Sequence, residues 1–132
     1  MKKVFILNVF LFFIFFLFAT EINAKKIPNL IGKWEGENIK SSLKSGFSRS
    51  QNIVVITEQK NRVFKGHVIH KGGKEDFVGV IRHDHKNFLW ADSSDDDGKV
   101  IGKILKKNRI ETCYLDSGKD AIAGCSILNR ED

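Results

Sequence analysis

The fold is decided by the stretch from Val63 to Trp90, which reads VFKGHVIHKGGKEDFVGVIRHDHKNFLW. Apolar and polar residues alternate along three short runs in it, and turn-forming residues separate the runs. Alternation with a period of two is typical of β-strands that bury one face. The pair Gly72-Gly73 is a strong hairpin signal, and the polar run His83–Lys86 marks a second turn. The stretch therefore predicts three consecutive antiparallel strands.

The same alternation of apolar and polar residues, with turn residues between the runs, continues on both sides of this stretch and predicts eight strands in all. The predicted strands are Leu30–Asn38, Gln51–Glu58, Val63–His70, Glu75–Arg82, Asn87–Asp92, Lys99–Leu105, Arg109–Leu115 and Ala121–Arg130. The one long connection, Ile39–Ser50, is rich in Ser and Lys, and a short helix or a lid could sit there. Because the other turns are short, we expect an all-β, eight-stranded antiparallel up-and-down barrel.

If each turn is placed at the centre of its hairpin, the pairing of opposite residues can be followed from strand to strand. This pairing assigns every side chain to one of two faces of the sheet. Centring the Gly-Gly turn pairs Phe64 with Ile81, and centring the His83–Lys86 turn pairs Gly79 with Trp90. One face then collects most of the aromatic residues outside the N-terminal run and four glycines. They are Phe64, Phe77, Phe88, Trp90 and Tyr114, with Gly66, Gly79, Gly102 and Gly124. Such a face suits the interior of a small barrel, which side chains fill or which holds one small ligand.

The opposite face is less polar than the surface of a soluble monomer normally is. Six aliphatic residues fall on it in neighbouring strands, namely Ile53, Val55, Ile69, Val78, Val80 and Leu89. A contiguous exposed patch of this kind marks an interaction site. We interpret it as the interface of a homodimer or a partner complex. The alternatives are slipped registers, a two-layered sandwich, or coverage by the Ile39–Ser50 segment.

The first 24 residues are typical of a secretory signal peptide. Two lysines precede an apolar run from Val4 to Ala19, and a short polar exit ends at Ala24. This order predicts cleavage after Ala24, which leaves residues 25–132 as a single β-barrel domain. The run is short for a spanning helix, although an uncleaved anchor is the alternative. We therefore expect an exported protein, periplasmic or extracellular, without membrane attachment after cleavage.

Cys113 and Cys125 are the only cysteines, and export places them in an oxidising compartment. The turn cluster Asp116–Asp120 lies between them. If the turn centres on Lys119, the two cysteines lie directly opposite each other in an antiparallel pair, within disulfide range. The sequence therefore predicts one disulfide that joins the last two strands, and this pairing argues against a catalytic thiol.

Other chemistry finds little support, and we expect neither an enzyme nor a cofactor. The net charge of +6 is spread along the chain without the basic stripe of a nucleic-acid binder. The four histidines fall at both barrel ends and on both faces, so we expect no metal site, with weak binding at His83-Asp84-His85 as the alternative. The acidic run Asp92–Gly98 lacks two ligands of a calcium loop and is interpreted as a solvated turn, weak cation binding being the alternative.

The first strand opens with Leu30-Ile31-Gly32-Lys33-Trp34, and Arg130 closes the last strand. This pattern resembles that of the calycins, which include lipocalins and avidins. In those families the Trp of a Gly-x-Trp packs across the closed end of the barrel against an Arg of the final strand. The resemblance implies a structural role for Gly32, Trp34 and Arg130. In size and single disulfide, the chain is more similar to small periplasmic barrel inhibitors of proteases and lysozymes.

Two functions stay open at this point. The first is a binding protein that holds a small apolar ligand at the open end of the barrel, near Phe77, Trp90 and Tyr114. The second is a protein–protein module, such as an inhibitor of an extracytoplasmic hydrolase, which acts through its loops or the outer patch. An interior cavity of several hundred Å³ favours the ligand. A filled interior favours the protein partner.

Overall fold

The computed structural model describes residues 26–93 and 97–131, which form a closed barrel of eight antiparallel strands in sequential order. The strands are β1 (Gly32–Ser42), β2 (Gly46–Lys60), β3 (Val63–His70), β4 (Gly73–Ile81), β5 (Asn87–Asp92), β6 (Lys99–Lys106), β7 (Arg109–Asp116) and β8 (Ile122–Arg130). The predicted fold class is confirmed. The predicted signal peptide lies outside the described residues. In the part of the chain that is described, no helix is long and apolar enough to cross a membrane.

The segment Ile39–Ser50 is neither a helix nor a lid. β1 and β2 continue through it as one long hairpin, with Leu43–Ser45 as its turn. The Ser42 and Ser45 hydroxyls share a hydrogen bond of 2.6 Å across this turn, and Gly46 takes a positive φ of 68°. Neither face of the hairpin is fully buried, so its sequence lacks the apolar alternation that marks a strand. The hairpin extends the sheet and does not lie over the outer patch.

The registers predicted for the His83–Lys86 turn and for the hairpin that carries the two cysteines are present. The Gly-Gly turn differs, because Phe64 pairs with Gly79 and not with Ile81. The reason is that Gly73, with a φ of 134°, already belongs to β4 and pairs with His70. A shift of two residues leaves every side chain on its predicted face.

Large side chains fill the inside of the barrel. The buried hydrophobic residues are Leu30, Trp34, Val54, Ile56, Phe64, Phe77, Ile81, Phe88, Trp90, Val100, Ile110 and Leu128. Glycines make room for the rings, because a Cβ added to Gly79 would meet the ring of Phe64, and one added to Gly102 would meet Phe88. Large and small residues therefore alternate on the inner face, as the sequence predicts.

Candidate functional site

One end of the barrel is closed by a tryptophan. Trp34, near the start of β1, is fully buried, and its Nε1 donates a hydrogen bond of 2.9 Å to the carbonyl oxygen of Leu30. The guanidinium carbon of Arg130 lies over the indole, 4.4 Å from the ring centre. A Cβ on Gly32 would lie 3.4 Å from Cδ of Arg130. The three residues that the calycin resemblance singled out therefore form one packed cluster.

The predicted ligand residues lie together on the inner wall, further towards the other end. Phe77 and Trp90 stack with ring centres 4.5 Å apart, and they are only 3% and 5% exposed. In the strand register, Val100 pairs with both Trp90 and Tyr114, so Tyr114 belongs to the same stretch of wall. Tyr114 itself is half-buried. The Trp90 Nε1 is buried and has no hydrogen-bond partner. These rings serve as core in the structure.

The inner face becomes polar towards the end where β1 turns into β2. Asn52 Nδ2 donates to Ser126 Oγ over 3.1 Å, and Ser126 Oγ donates to Asn38 Oδ1 over 3.2 Å. Ser126 is buried, and the half-buried carboxylates of Glu75 and Asp92 also occupy inner positions. An apolar ligand would have to pass this polar lining to reach Phe77 and Trp90.

The predicted outer patch lies on the outside of the barrel. Val78 is 66% exposed, and Val80 and Leu89 are exposed beside it. They line an open groove of about 970 Å³ that extends from β2 across β3, β4 and β5 to β6, here called the outer groove. The large exposed aliphatic residues that line it are Ile31, Val63, Val78, Val80 and Leu89, and the lining also includes Ala91 and the core residues Phe64, Trp90 and Val100. Of the other predicted patch residues, Ile69 is exposed, and Ile53 and Val55 are half-buried.

Sequence reasoning missed Ile31 and Val63, which are 43% and 56% exposed. The alternation around Phe64 could have identified Val63, because the residue before an inward-facing one points outward. Ile31 could have been identified in the same way, because it lies in the predicted strand Leu30–Asn38, an odd number of positions from the inward-facing Trp34. Three lysines, Lys60, Lys65 and Lys99, also line the groove, together with Glu58, whose carboxylate lies 3.0 Å from Lys65 Nζ.

The exposed aliphatic side chains continue beyond the outer groove as a cross-strand row. Val63, Val80, Leu89 and Ile101 are successive direct partners from β3 to β6. The row then reaches Cys113, Cys125 and Ile39 on β7, β8 and β1. Cys113 and Cys125 form the predicted disulfide, with their Cα atoms 4.1 Å apart. The disulfide therefore lies in line with the exposed aliphatic residues.

The described residues contain no group of three or more side chains suited to hold a metal ion. In the His83–Lys86 turn, Asp84 accepts hydrogen bonds from the Lys86 and Asn87 backbone and from Asn87 Nδ2. These bonds, those from Asn87 foremost, hold the pKa of Asp84 well below its ordinary value. Asp84 therefore acts as a turn residue. The acidic run Asp92–Gly98 lies partly outside the described residues.

No protein-family profile matches the sequence, and no curated protein matches it. Eight chains of solved structures match it in fold. One of them is a redesigned β-barrel, 13% identical, with a TM-score of 0.50 over 78% of this chain and 92% of that chain. At this identity the likeness concerns the fold alone. It supports an eight-stranded antiparallel barrel without assigning the chain to the lipocalins or avidins.

Proposed function

We propose that the protein is a small exported binding module that recognises another protein through the outer groove. The observation that carries this proposal is a set of adjacent, exposed aliphatic side chains on a barrel whose interior is packed. The largest apolar patch of a typical monomer, about 300–600 Å², is often functional. Its burial in a complex would contribute about 25 cal/mol per Å² of apolar area.

The charges around the outer groove favour a partner with acidic residues beside an apolar segment. Lys60, Lys65 and Lys99 outnumber Glu58, which is already paired with Lys65. Opposite charges at the rim of an interface steer association and fix its register. An extracytoplasmic hydrolase that the barrel inhibits is the partner class we favour, in keeping with the size and single disulfide of the chain.

Export and a calycin-like closed end belong to the same proposal. A disulfide indicates an oxidising environment, which favours export over the cytosol. The packing of Gly32, Trp34 and Arg130 at one end is what a calycin-like barrel requires. Neither feature identifies a partner, so the functional proposal depends on the outer groove.

The second candidate function is the binding of a small apolar ligand near Phe77, Trp90 and Tyr114. The stacked rings and the unpartnered Trp90 Nε1 are the observations in its favour. Native mass spectrometry of protein purified from its own compartment separates the two candidates. A retained small molecule supports the ligand, whereas a retained protein supports the groove.

Site-specific photo-crosslinking in the native compartment tests the outer groove directly. A photoreactive residue at position 78 should capture a protein that one at position 115 does not. Leu115 is a matched control, because it is 51% exposed on β7 and does not line the groove. With that partner purified, Val78→Lys should weaken binding about tenfold or more, and Leu115→Lys should not. Equal capture at both positions, or equal affinity of both variants, would contradict the proposal.

A further inference from the structure

β2 has an open edge at the end of the barrel away from Trp34. It is 15 residues long, whereas its neighbour β3 has 8. Pairing between the two begins only at Ile53 and Ile69, so residues 46–52 of β2 pair with β1 alone. We call residues 46–52 the β2 edge. The N–H and C=O groups on its far side have no strand partner, and such an edge is a template for another strand.

The β2 edge has few of the features that block strand pairing. Natural edge strands are protected by lysines, prolines or bulges, and the β2 edge contains no lysine or proline. The irregularity of β2 lies further along, between Ile56 and Glu58. The one charged residue, Arg49, contacts Glu37 of its own hairpin at 3.3 Å. Phe47 is 91% exposed, the largest value among the exposed large hydrophobic residues described.

We propose that the β2 edge pairs antiparallel with the β2 edge of a second copy of the chain, with the two-fold axis at Ser48. A two-fold interface is self-complementary, so each contact occurs twice. With the axis at Ser48, Phe47 of each copy lies opposite Arg49 of the other, where a guanidinium can stack on the ring. An axis at Arg49 would instead place two like charges directly opposite each other, which is destabilising.

The length of the edge fits this register. Pairing about Ser48 places Lys44, in the hairpin turn, opposite Asn52, the last residue before β3 begins to pair. The turn of each hairpin therefore lies beside the point at which β3 begins to pair with β2 in the other copy. Pairing over a single edge of seven residues is a limited contact, so we expect a dimer that is weak and dependent on concentration. The outer groove lies towards the other end of the barrel and stays accessible in both copies.

Engineered cysteines test the axis. Ser48 and Ser50 are both exposed and lie on the same face of β2. Directly opposed residues in an antiparallel pair have Cα atoms within disulfide range, and the two native cysteines are already joined. In a glutathione redox buffer, Ser48→Cys should form a covalent dimer. Ser50→Cys, whose partner position is Gly46, should stay largely uncrosslinked.

Sedimentation velocity of the wild type over a wide concentration range provides the second measurement. The sedimentation coefficient should rise with concentration, and Arg49→Glu should reduce the rise. A wild type that stays monomeric throughout overturns the proposal, as does equal crosslinking of the two cysteine variants. A dimer that Val80→Lys dissociates and Arg49→Glu does not would place the contact at the outer groove, which also overturns it.

Discussion

Arg130 is the direct cross-strand partner of Trp34, and its guanidinium carbon lies 4.4 Å from the centre of the indole ring. One contact thus joins the first strand to the last and closes one end of the barrel. The guanidinium also donates a hydrogen bond to the carbonyl oxygen of Asn29. Burial lowers the pKa of Arg130, but an arginine remains charged at any pH at which the protein is folded.

Removal of the tryptophan should test the energy of this contact. Trp34→Ala should lower the free energy of unfolding by about 3–5 kcal/mol, because it leaves a cavity in the core next to Leu30. Arg130→Ala should cost less, and the double variant less than the sum, because the two side chains touch. Denaturant unfolding measures all three. Arg49→Ala is the control, because Arg49 lies in the distant hairpin. Its effect on the free energy of unfolding should be additive with that of Trp34→Ala.

The disulfide should stabilise the last hairpin. The two cysteines are 12 residues apart, and replacement of both by serine should cost about 2–3 kcal/mol, as expected for a short loop. Mass spectrometry of the exported protein without reductant should show the Cys113–Cys125 peptide pair. Free thiols at both positions would contradict the pairing.

The two faces of β4 should respond oppositely to a charge. Gly79→Lys should unfold the protein, because the side chain would meet the ring of Phe64 and place an ammonium group in the core. Val80→Lys should leave the thermal melt almost unchanged, because Val80 is 37% exposed on the outside. If Val80→Lys unfolds the chain and Gly79→Lys does not, the assignment of the inner and outer faces of β4 is inverted.

Asp84 should stabilise the turn between β4 and β5 over a wide pH range. Its folded-state pKa is depressed below the ordinary value of 3.8, so the stabilisation is complete above that pH. It is lost only as the pH falls through the folded-state pKa. The wild type should therefore exceed Asp84→Asn in stability from neutral to mildly acidic pH, with the difference shrinking in strong acid. A difference that already disappears near neutral pH would be inconsistent with these hydrogen bonds.

Local patterns in the sequence predicted most of the barrel. The alternation of residues fixed β3 and β5 to their observed bounds, and the spacing of Cys113 and Cys125 predicted their pairing correctly. The pairing across the Gly-Gly turn was predicted two residues off, because composition does not show whether Gly73 belongs to the turn or to the strand. The far part of the β1–β2 hairpin was missed, because a strand without a fully buried face leaves no apolar pattern.

The candidate site was predictable only in part. The alternation that places Phe77 inside also places Val78 outside, so the outer patch followed from the same pattern. The groove as a recess did not, because its walls come from five strands and from the segment before β1, and only the folded structure shows how these are arranged. The open β2 edge arises from the difference in length between two neighbouring strands, and only the paired structure shows it.

The pairing of β1 with β8 imposes an order on folding. Every other pair in the barrel joins strands that are adjacent in sequence, so those hairpins can form locally. The final pair requires residues near Trp34 to meet residues near Arg130, and closing a loop of that length is entropically costly and slow. Until it closes, both strands offer unpaired edges to other chains. Variants that weaken the Trp34–Arg130 contact should therefore lower the yield of folded protein by aggregation, beyond their effect on equilibrium stability.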